Sequence, residues 1–497
     1  MNYKVPKEVQ EILNKFTKSG FQIYIVGGSV RDLLMNRPVH DWDFTTDAKP
    51  EEILKLFQEG FLEQSSQKGS LFGEPFYDNK FGTVGIPIKA SSNDGWREGE
   101  VSSVDRSEVV TSEDALEIPK RQDPSLKYEI FEITTMRKEG VYKDFRHPAE
   151  VSWTNKIEED LARRDFTINA LALSSDGTIF DPFGGQQDID SGIVRAVGDP
   201  HKRFREDALR LMRAVRIATQ LEFEIEKKTY SAIQTNRELI KEIASERVRD
   251  ELFKLLASSN PYIGILKLRE AGILEIILPE LEKCFGIKQE GPKHARVYDI
   301  GEHALLSLQS TPSQDPLVRF AALLHDIGKP ETVKVDKTGN ATFYNHDLVG
   351  GKLALQIAKR FNFSKKQTDK FYRLVRWHLF TVDENQTDSA IRRFIKNVGL
   401  ENVNDMLALR IGDRLGGGTQ KAMSWRMEKF GERIAQVLQK PFSITDLKIN
   451  GQDVMETLNI PPGPKVGEVL QKLFEEVLED SSKNNRDYLL GKIKLLK

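Results

Sequence analysis

Residues 39–46 read VHDWDFTT, and residues 27–34 before them read GGSVRDLL. The first stretch is β-rich and sets Asp41 and Asp43 one residue apart. Residues i and i+2 of a strand project to one face, so both carboxylates converge on a single point. Like charges so placed repel and destabilise the strand unless something offsets them. A pair of Mg²⁺ ions does so, because hard oxygen ligands suit this ion and it keeps waters and substrate phosphates as its other ligands. Two such ions activate an attacking hydroxyl and stabilise the leaving group of an in-line displacement. Glycines at a strand-to-helix turn complement the pair, since they let backbone N–H groups approach a phosphate at the positive end of a helix. The plainer alternative makes Asp41 a turn cap, Asp43 a solvated side chain and the glycines a simple turn.

Outward from this stretch the pattern is α/β. KEVQEILNKFTKSG (7–20) has apolar residues at helical spacing and ends in glycine, and FQIYIV (21–26) is a short β-rich run. PEEILKLFQ (50–58) predicts a helix, and FGTVGIPI (81–88) and YEIFEITTMR (128–137) predict strands. Glu129 and Glu132 on the last of these are candidates for a third carboxylate, or ordinary outward-facing strand residues. Residues 89–127, rich in Ser, Asp and Glu, offer little to bury against their ordering entropy and are expected to form a surface excursion. From about residue 200 the pattern turns helical, in RFREDALRLMRAVRIATQ (203–220), SERVRDELFKLL (245–256), LVRFAALLHDIGK (317–329) and LVGGKLALQIAKRF (348–361).

The whole chain sets the frame. Its 497 residues call for several domains, and 39% apolar with 30% charged residues fits buried cores under a hydrated surface. No apolar run reaches the ~18 residues of a membrane span. MNYKVPKEVQEILNKF has no apolar signal core, which predicts a cytoplasmic protein. Cys284 is the single cysteine, which excludes an internal disulfide and a cysteine-rich zinc site. With a net charge of −2, a polyanionic partner has to be held by local basic stripes.

GGSVRD (27–32), HDWDFTT (40–46), LARRDFTINALAL (161–173), DPFGGQQDIDSG (181–192) and RFREDALRLMRAVRIA (203–218) occur in this order. Together they resemble the bacterial-type (class II) tRNA nucleotidyltransferases, the CCA-adding enzymes, and their poly(A) polymerase relatives. The resemblance implies an α+β protein: a polymerase β-like nucleotidyltransferase head over 1–175 with an insertion at about 89–127, a helical neck over 176–265, an HD body over 266–400 and a helical tRNA-binding tail over 401–497. It implies Mg²⁺-dependent, template-independent transfer of nucleotides from CTP and ATP to the 3′ end of tRNA, with no membrane partner. Asp41 and Asp43 become the metal ligands, Gly28 and Arg31 nucleotide contacts, Arg164 a nucleotide contact and Asp165 a partner of the ribose hydroxyl. RKEGVYKDFRHP (137–148) corresponds to a flexible loop of the family, with Phe145 where glycine is more usual.

The neck motif also argues from chemistry. Asp207 and Arg210, three apart, share one face of a helix, as do Arg213 and Arg216 further along it. An aspartate accepts and an arginine donates. Cytosine and adenine each show a donor beside an acceptor, whereas uracil and guanine show the opposite polarity, so one Asp/Arg pair selects C and A. The alternatives are a surface salt bridge and a solvated basic face.

Four of the eight histidines fall in GEHALL (His303), LLHDIGKP (His325), YNHDLVGG (His346) and RWHLF (His378). Imidazoles and a carboxylate from separate helices suit a divalent metal. The order resembles the HD phosphohydrolase superfamily, which implies His303, His325 and Asp326 as ligands of a second divalent metal, with His346, His378 and Asp388 as further candidates. LALRIGDRLGGG (407–418) and DLKINGQDVMETLNIPPGPKVGEVLQ (446–471) resemble the C-terminal region of the CCA-adding family. Rival readings are a partial (A- or CC-) adding enzyme, a poly(A) polymerase, an HD phosphohydrolase with an inactive head, and a non-catalytic RNA-binding protein.

Overall fold

Ile23–Val26 (β1), with the sequence IYIV, is buried on both faces, as a strand without charged side chains can be at the middle of a sheet. It lies antiparallel between Asp43–Thr46 (β2), with Ile25 opposite Phe44, and Ala172–Ser174 (β8), with Ile25 opposite Leu173. The sheet continues through Tyr128–Thr135 (β5), parallel to β2, then Thr83–Lys89 (β4) and Phe76–Tyr77 (β3), and beyond β8 to Ile179–Phe180 (β9). Arg137–Glu139 (β6) and Val151–Trp153 (β7) form a separate antiparallel pair. In this computed structural model the described residues are 3–39, 41–64, 72–77, 82–89, 128–140, 151–289, 298–335, 337, 341–383, 386–419, 421–438 and 444–495. Most of the 89–127 insertion and the loop position Phe145 lie outside them.

The chain divides into two compact units, Met1–Ile243 and Ala244–Lys497. In the first, Lys7–Lys18 (α1) and Pro50–Gln64 (α3) bury Phe16 and Phe57 with Ile25 and Phe44 of the sheet. Tyr24 and Val26, on the opposite face of β1, pack with Ile157 and Leu161 of Ile157–Ala162 (α4). Gly28–Leu34 (α2) and Gly185–Asp190 (α5) belong to the same unit.

The stretch 203–220, expected as one helix, is broken into Pro200–Glu206 (α6) and Arg210–Leu221 (α7). Asp207 is extended at φ −140°, ψ 106°, and its Oδ1 accepts from Leu209 N at 3.1 Å. A short acidic side chain that bonds the backbone two residues on competes with the helix ladder, and here it wins. Lys227–Asn236 (α8) follows. Nor is the neck wholly helical, because Ile193–Val194 (β10) pairs in parallel with Glu224–Ile225 (β11).

The second unit is built of Ser245–Leu256 (α9), Pro261–Glu270 (α10), Leu274–Ile277 (α11), Pro279–Glu282 (α12), Ile300–Ser310 (α13), Pro316–Leu324 (α14), Lys329–Thr332 (α15), His346–Arg360 (α16), Lys365–Arg376 (α17), Asp388–Val398 (α18) and Val403–Gly416 (α19). Phe320 on α14 meets the rings of Phe361, Phe363 and Phe371 at 6.1, 6.1 and 5.1 Å. Two short strand pairs, Lys288–Gln289 with Tyr298–Asp299 and Lys334–Val335 with Ala341–Thr342, interrupt the helices. The C-terminal helices Gly451–Leu458, Pro464–Glu479 and Arg486–Lys494 pack around Val454, Leu473, Val477, Leu489 and Ile493. No described helix is long and apolar enough to cross a membrane.

Candidate active site and metal centre

At the β1–α2 turn Gly27 sits at φ +77°, a conformation that side-chain-bearing residues rarely adopt. A Cβ there would lie 2.7 Å from Arg164 Nη1 and 3.7 Å from Asp43 Oδ2. The glycine thus lets a guanidinium and a carboxylate close over the backbone, a cradle that any side chain would fill. Ser29, buried in the first turn of α2, donates to Asp41 O at 2.8 Å and accepts from Asp43 N at 3.2 Å. One hydroxyl therefore holds both ends of Asp41-Trp42-Asp43.

Only Asp43 belongs to β2; Asp41 precedes it, which corrects the expectation that both stand on the strand. The alternation nevertheless persists, because Trp42 is buried between two exposed aspartates. Asp43 keeps accessible surface but is hemmed in by protein. Burial pushes its carboxyl up from the ordinary range, Arg164 opposes this, and the nearby Asp41 carboxylate adds to the rise. The pair is thus electrostatically coupled as the spacing requires. The ladder also separates the two glutamates: Glu132 stands opposite Asp43 and shares its face, whereas Glu129 is opposite Ile88 and odd in register to it. Among the described residues, Asp41, Asp43 and Glu132 are not drawn into a ligand trio within 4.8 Å, as side chains of the second unit are. Two carboxylates suffice for an ion that completes its shell with water and phosphate.

A chain of polar contacts leads from the turn to the neck. Arg31 donates to Asp32 and, from Nη1, to Asn169 Oδ1 at 2.8 Å. Asn169 Nδ2 donates to Asp165 Oδ1 at 3.2 Å. Asp165 Oδ1 also accepts from Phe166 N, and Oδ2 accepts from Arg213 Nε and Nη2 at 2.9 and 2.7 Å. Burial favours the neutral form of Asp165, but Arg213 and Arg210 hold its carboxyl well below the usual range. Both oxygens are therefore engaged by protein donors, and Asp165 holds Arg213 in place. Ser29 and Asn169 were not singled out from sequence, although each lies inside a quoted motif.

The base-reading pair is not assembled as expected. Arg210 is buried, and its guanidinium donates to Glu206 Oε2 at 2.9 Å and to the carbonyls of Arg203 and Arg163 at 3.1 and 2.9 Å. Asp207, outside α7, does not share a helix face with it. Arg213 and Arg216 stay half-buried on α7, the latter donating to Gln220 Oε1 at 2.6 Å.

In the second unit the imidazoles of His325, His346 and His378 each place Nδ1 2.7–2.8 Å from the carbonyl three residues before, on Ala322, Phe343 and Val375. That bond puts the proton on Nδ1 and leaves Nε2 facing Asp326. Asp326 is the hub. Its Oδ2 lies 3.4 Å from His303 Nε2 and 3.2 Å from His325 Nε2, and its Oδ1 3.2 Å from His346 Nε2 and 3.6 Å from His378 Nε2. His303 and His325 Nε2 stand 3.2 Å apart. Two lone pairs so close need a proton or a cation between them. Although burial opposes charge, Asp326 and Asp413 push His325 up to about 10, so a proton serves that role without metal. The donor set fits a divalent cation equally well.

Asp413, not Asp388, is the downstream carboxylate. Its Oδ1 is 3.3 Å from His303 Nε2, and its Oδ2 accepts from Arg410 Nη1 at 2.8 Å. Asp388 starts α18 and pairs with Arg433 at 3.0 Å. Close backbone approach brings these side chains together. A Cβ on Gly412 would collide with Thr311 Oγ1, and one on Gly416 would lie 2.6 Å from Ser307 N, so α19 can press on α13 and carry Asp413 to His303. A Cβ on Gly328 would lie 2.6 Å from Gly350 N, which seats the Asp326 turn against α16 and His346. Glycines four apart around Asp413 were the available sequence signal.

Comparison with known proteins adds four family matches. Residues 23–81 and 106–195 match the Poly A polymerase head domain, 222–285 the RNA and SrmB-binding site of polymerase A, 294–403 the HD domain and 354–493 the tRNA nucleotidyltransferase domain 2. A CCA-adding enzyme of Ligilactobacillus salivarius (strain UCC118) is 30% identical over 491 residues, covering 99% of this chain and 96% of that one. An A-adding tRNA nucleotidyltransferase of Deinococcus radiodurans is 37% identical over 331 residues, 64% of this chain and 75% of its own. The crystal structure of Bacillus stearothermophilus CCA-adding enzyme in complex with CTP aligns with 99% of this chain and 97% of its own, with TM-score 0.66 and 24% identity, a likeness of fold.

Proposed function

Because this chain belongs to the CCA-adding enzyme family, we propose that it adds CCA to the 3′ end of tRNA from CTP and ATP without a nucleic-acid template. The observation that carries the reading is the cradle at Gly27, where Arg164 and Asp43 close over the strand-to-helix turn beside Asp41. A triphosphate lying on that turn meets backbone N–H groups and the Arg164 guanidinium. The tRNA 3′-hydroxyl gives up its proton near Asp41 and Asp43, its oxygen attacks the α-phosphate, and pyrophosphate leaves. Asp41 and Asp43, with Glu132 opposite Asp43 in register, would hold Mg²⁺, which would supply charge neutralisation for the entering and leaving oxygens. Ser29 keeps the two aspartates in register, which matters because positioning and electrostatics supply most of such a rate enhancement.

For base selection, a nucleotide entering at the α6–α7 bend has to draw Arg210 off Glu206 before Asp207 and Arg210 together meet the Watson–Crick edge. Asp165 then acts through Arg213. In the HD body His303, His325, Asp326 and Asp413 hold a divalent cation. Such a task belongs in the cytoplasm.

The test is incubation of the full chain with tRNA lacking its 3′ end, labelled CTP and ATP, and Mg²⁺, followed by product sequencing. Ordered addition of C, C and A is expected, and Asp41→Ala abolishes it. Full activity of Asp41→Ala would overturn the site. The 37% identity to an A-adding enzyme favours, as second reading, addition of the terminal A alone. That reading predicts incorporation of A into tRNA ending in CC and none of C into tRNA lacking CCA.

A further inference from the structure

Asn169 lies between a cation and an anion. It closes the short 3₁₀ turn Thr167–Asn169 between α4 and β8, and it is buried. Its Oδ1 accepts from Arg31 Nη1 at 2.8 Å, and its Nδ2 donates to Asp165 Oδ1 at 3.2 Å. The charge on either side fixes the direction of the amide: turned over, it would set N–H groups against a guanidinium and a carbonyl against a carboxylate. A carboxylate at this position would repel Asp165, a cation would repel Arg31, and an apolar side chain would strip both of a partner. Both neighbours of Asn169 are anchored in turn. Arg31 donates to the two oxygens of Asp32 at 2.9 and 3.0 Å. Asp165 accepts from Arg213 of α7 with its other oxygen, at 2.9 and 2.7 Å. The turn itself is held by Thr167, whose Oγ1 donates to Asp188 Oδ2 at 2.6 Å and whose N donates to Arg195 O at 2.9 Å.

Arg31, Asn169, Asp165 and Arg213 therefore form one line of side chains, and each bond in it has a charged partner, which makes it stronger than a neutral one. The two ends of the line matter to the chemistry. Arg31 stands in the first turns of α2, where its N donates to Gly27 O at 3.3 Å. Arg213 acts on Asp43, whose carboxyl burial pushes up and whose rise Arg164 and Arg213 oppose. Resting on the nucleotide-transfer reading, we infer that Asn169 is a positioning residue for that reaction: acting through Asp165, it sets where the Arg213 guanidinium stands relative to Asp43, and it ties that placement to the glycine turn that receives the triphosphate. A neutral amide makes this link without adding a charge of its own. Coupling between the turn and α7 then runs through contiguous hydrogen bonds, and replacing one residue of the line exposes it.

The experiment follows steady-state addition from CTP to tRNA lacking its 3′ end, by the full chain with Mg²⁺. Asn169→Asp keeps the size of the side chain and an acceptor for Arg31, but sets a second carboxylate oxygen where Nδ2 now faces Asp165. It is expected to lower kcat at least about tenfold, the loss of one hydrogen bond to a charged group, with KM for tRNA within about twofold of wild type. Were Asn169 needed only to hold Arg31, Asn169→Asp would match wild type, and that result overturns the inference. A double-mutant cycle supplies a readout that a merely structural residue would not move. Arg213→Lys keeps the charge but loses the two-pronged bond to Asp165. In that background Asn169→Asp should cost less than about threefold more, because the line is already cut; factors that multiply overturn the inference. The same cycle between Arg31→Lys and Arg213→Lys leaves Asn169 in place, so the test does not depend on the Asn169 variant folding. Here too the two losses should fall short of multiplying, and independent losses overturn the inference. A wild-type chain that adds no nucleotide overturns both the inference and the reading beneath it, whereas normal wild-type addition with an unimpaired Asn169→Asp overturns the inference alone.

Discussion

Arg213 donates from Nε and Nη2 to one oxygen of Asp165, at 2.9 and 2.7 Å, across 48 residues of sequence. The pair ties the segment between α4 and β8 to α7. Breaking a buried ion pair from one side leaves the partner charge uncompensated. Since Arg213 is a third exposed, the lower end of the range applies, and Asp165→Asn is expected to lose about 3 kcal/mol in denaturant unfolding at pH 7. The folded carboxyl titrates well below its unfolded value, so this stabilisation is whole above about pH 4 and fades as pH falls toward the depressed folded value. The gap between wild type and variant therefore narrows in acid; a gap that widens there would contradict the assignment.

Ser29 bridges Asp41 O and Asp43 N. Replacing its hydroxyl removes two hydrogen bonds of about 1 kcal/mol each. Ser29→Ala should lower kcat for nucleotide addition by roughly tenfold, while KM for CTP changes less than twofold, and Ser29→Thr should recover part of the loss. A variant with unchanged kcat would show that the backbone alone sets the spacing of the aspartates.

Glu206 Oε2 accepts a hydrogen bond from Arg210 Nη1 at 2.9 Å. If Arg210 has to leave Glu206 to read a base, Glu206→Gln weakens the grip and makes nucleotide binding easier. We expect KM for CTP and ATP to fall about fivefold, equivalent to about 1 kcal/mol, with discrimination against UTP retained. Steady-state kinetics with the three nucleotides decide this, and an unchanged KM would mean that Arg210 stays where it is.

Gly412 allows α19 to lie against Ser307 of α13 and Thr311 at its C-terminal end. Gly412→Val pushes the helices apart and withdraws Asp413 from His303. The expected result is at least a tenfold weaker hold on divalent metal in the HD body, measured by competition with a chelator. Addition of nucleotides by the head should stay within twofold of wild type.

Much of this protein is written locally. The apolar run of β1, the helical spacing of α9 and the order of the short motifs fix element type and family, because periodicity and turn chemistry act over a few residues. Asp41 and Asp43 were legible for the same reason: two residues apart, with Trp42 buried between them, they have to emerge together. The break at Asp207 was hidden, since the apolar spacing of 203–220 runs straight through it and only the Asp207–Leu209 bond reveals the stop.

What needed the folded chain is every relation across long separations. Arg210 looks like a base reader by spacing, yet burial against Glu206 and two carbonyls decides where its charge lies. Asp388 and Asp413 are equivalent in composition, and the close crossing of α13 and α19, possible only where glycine omits a Cβ, selects Asp413. Sequence by itself determined which chemical groups this protein owns and the family they belong to. The tertiary structure alone decided which of those groups meet, because hydrogen bonds and ion pairs depend on distances of about 3 Å that no sequence spacing encodes.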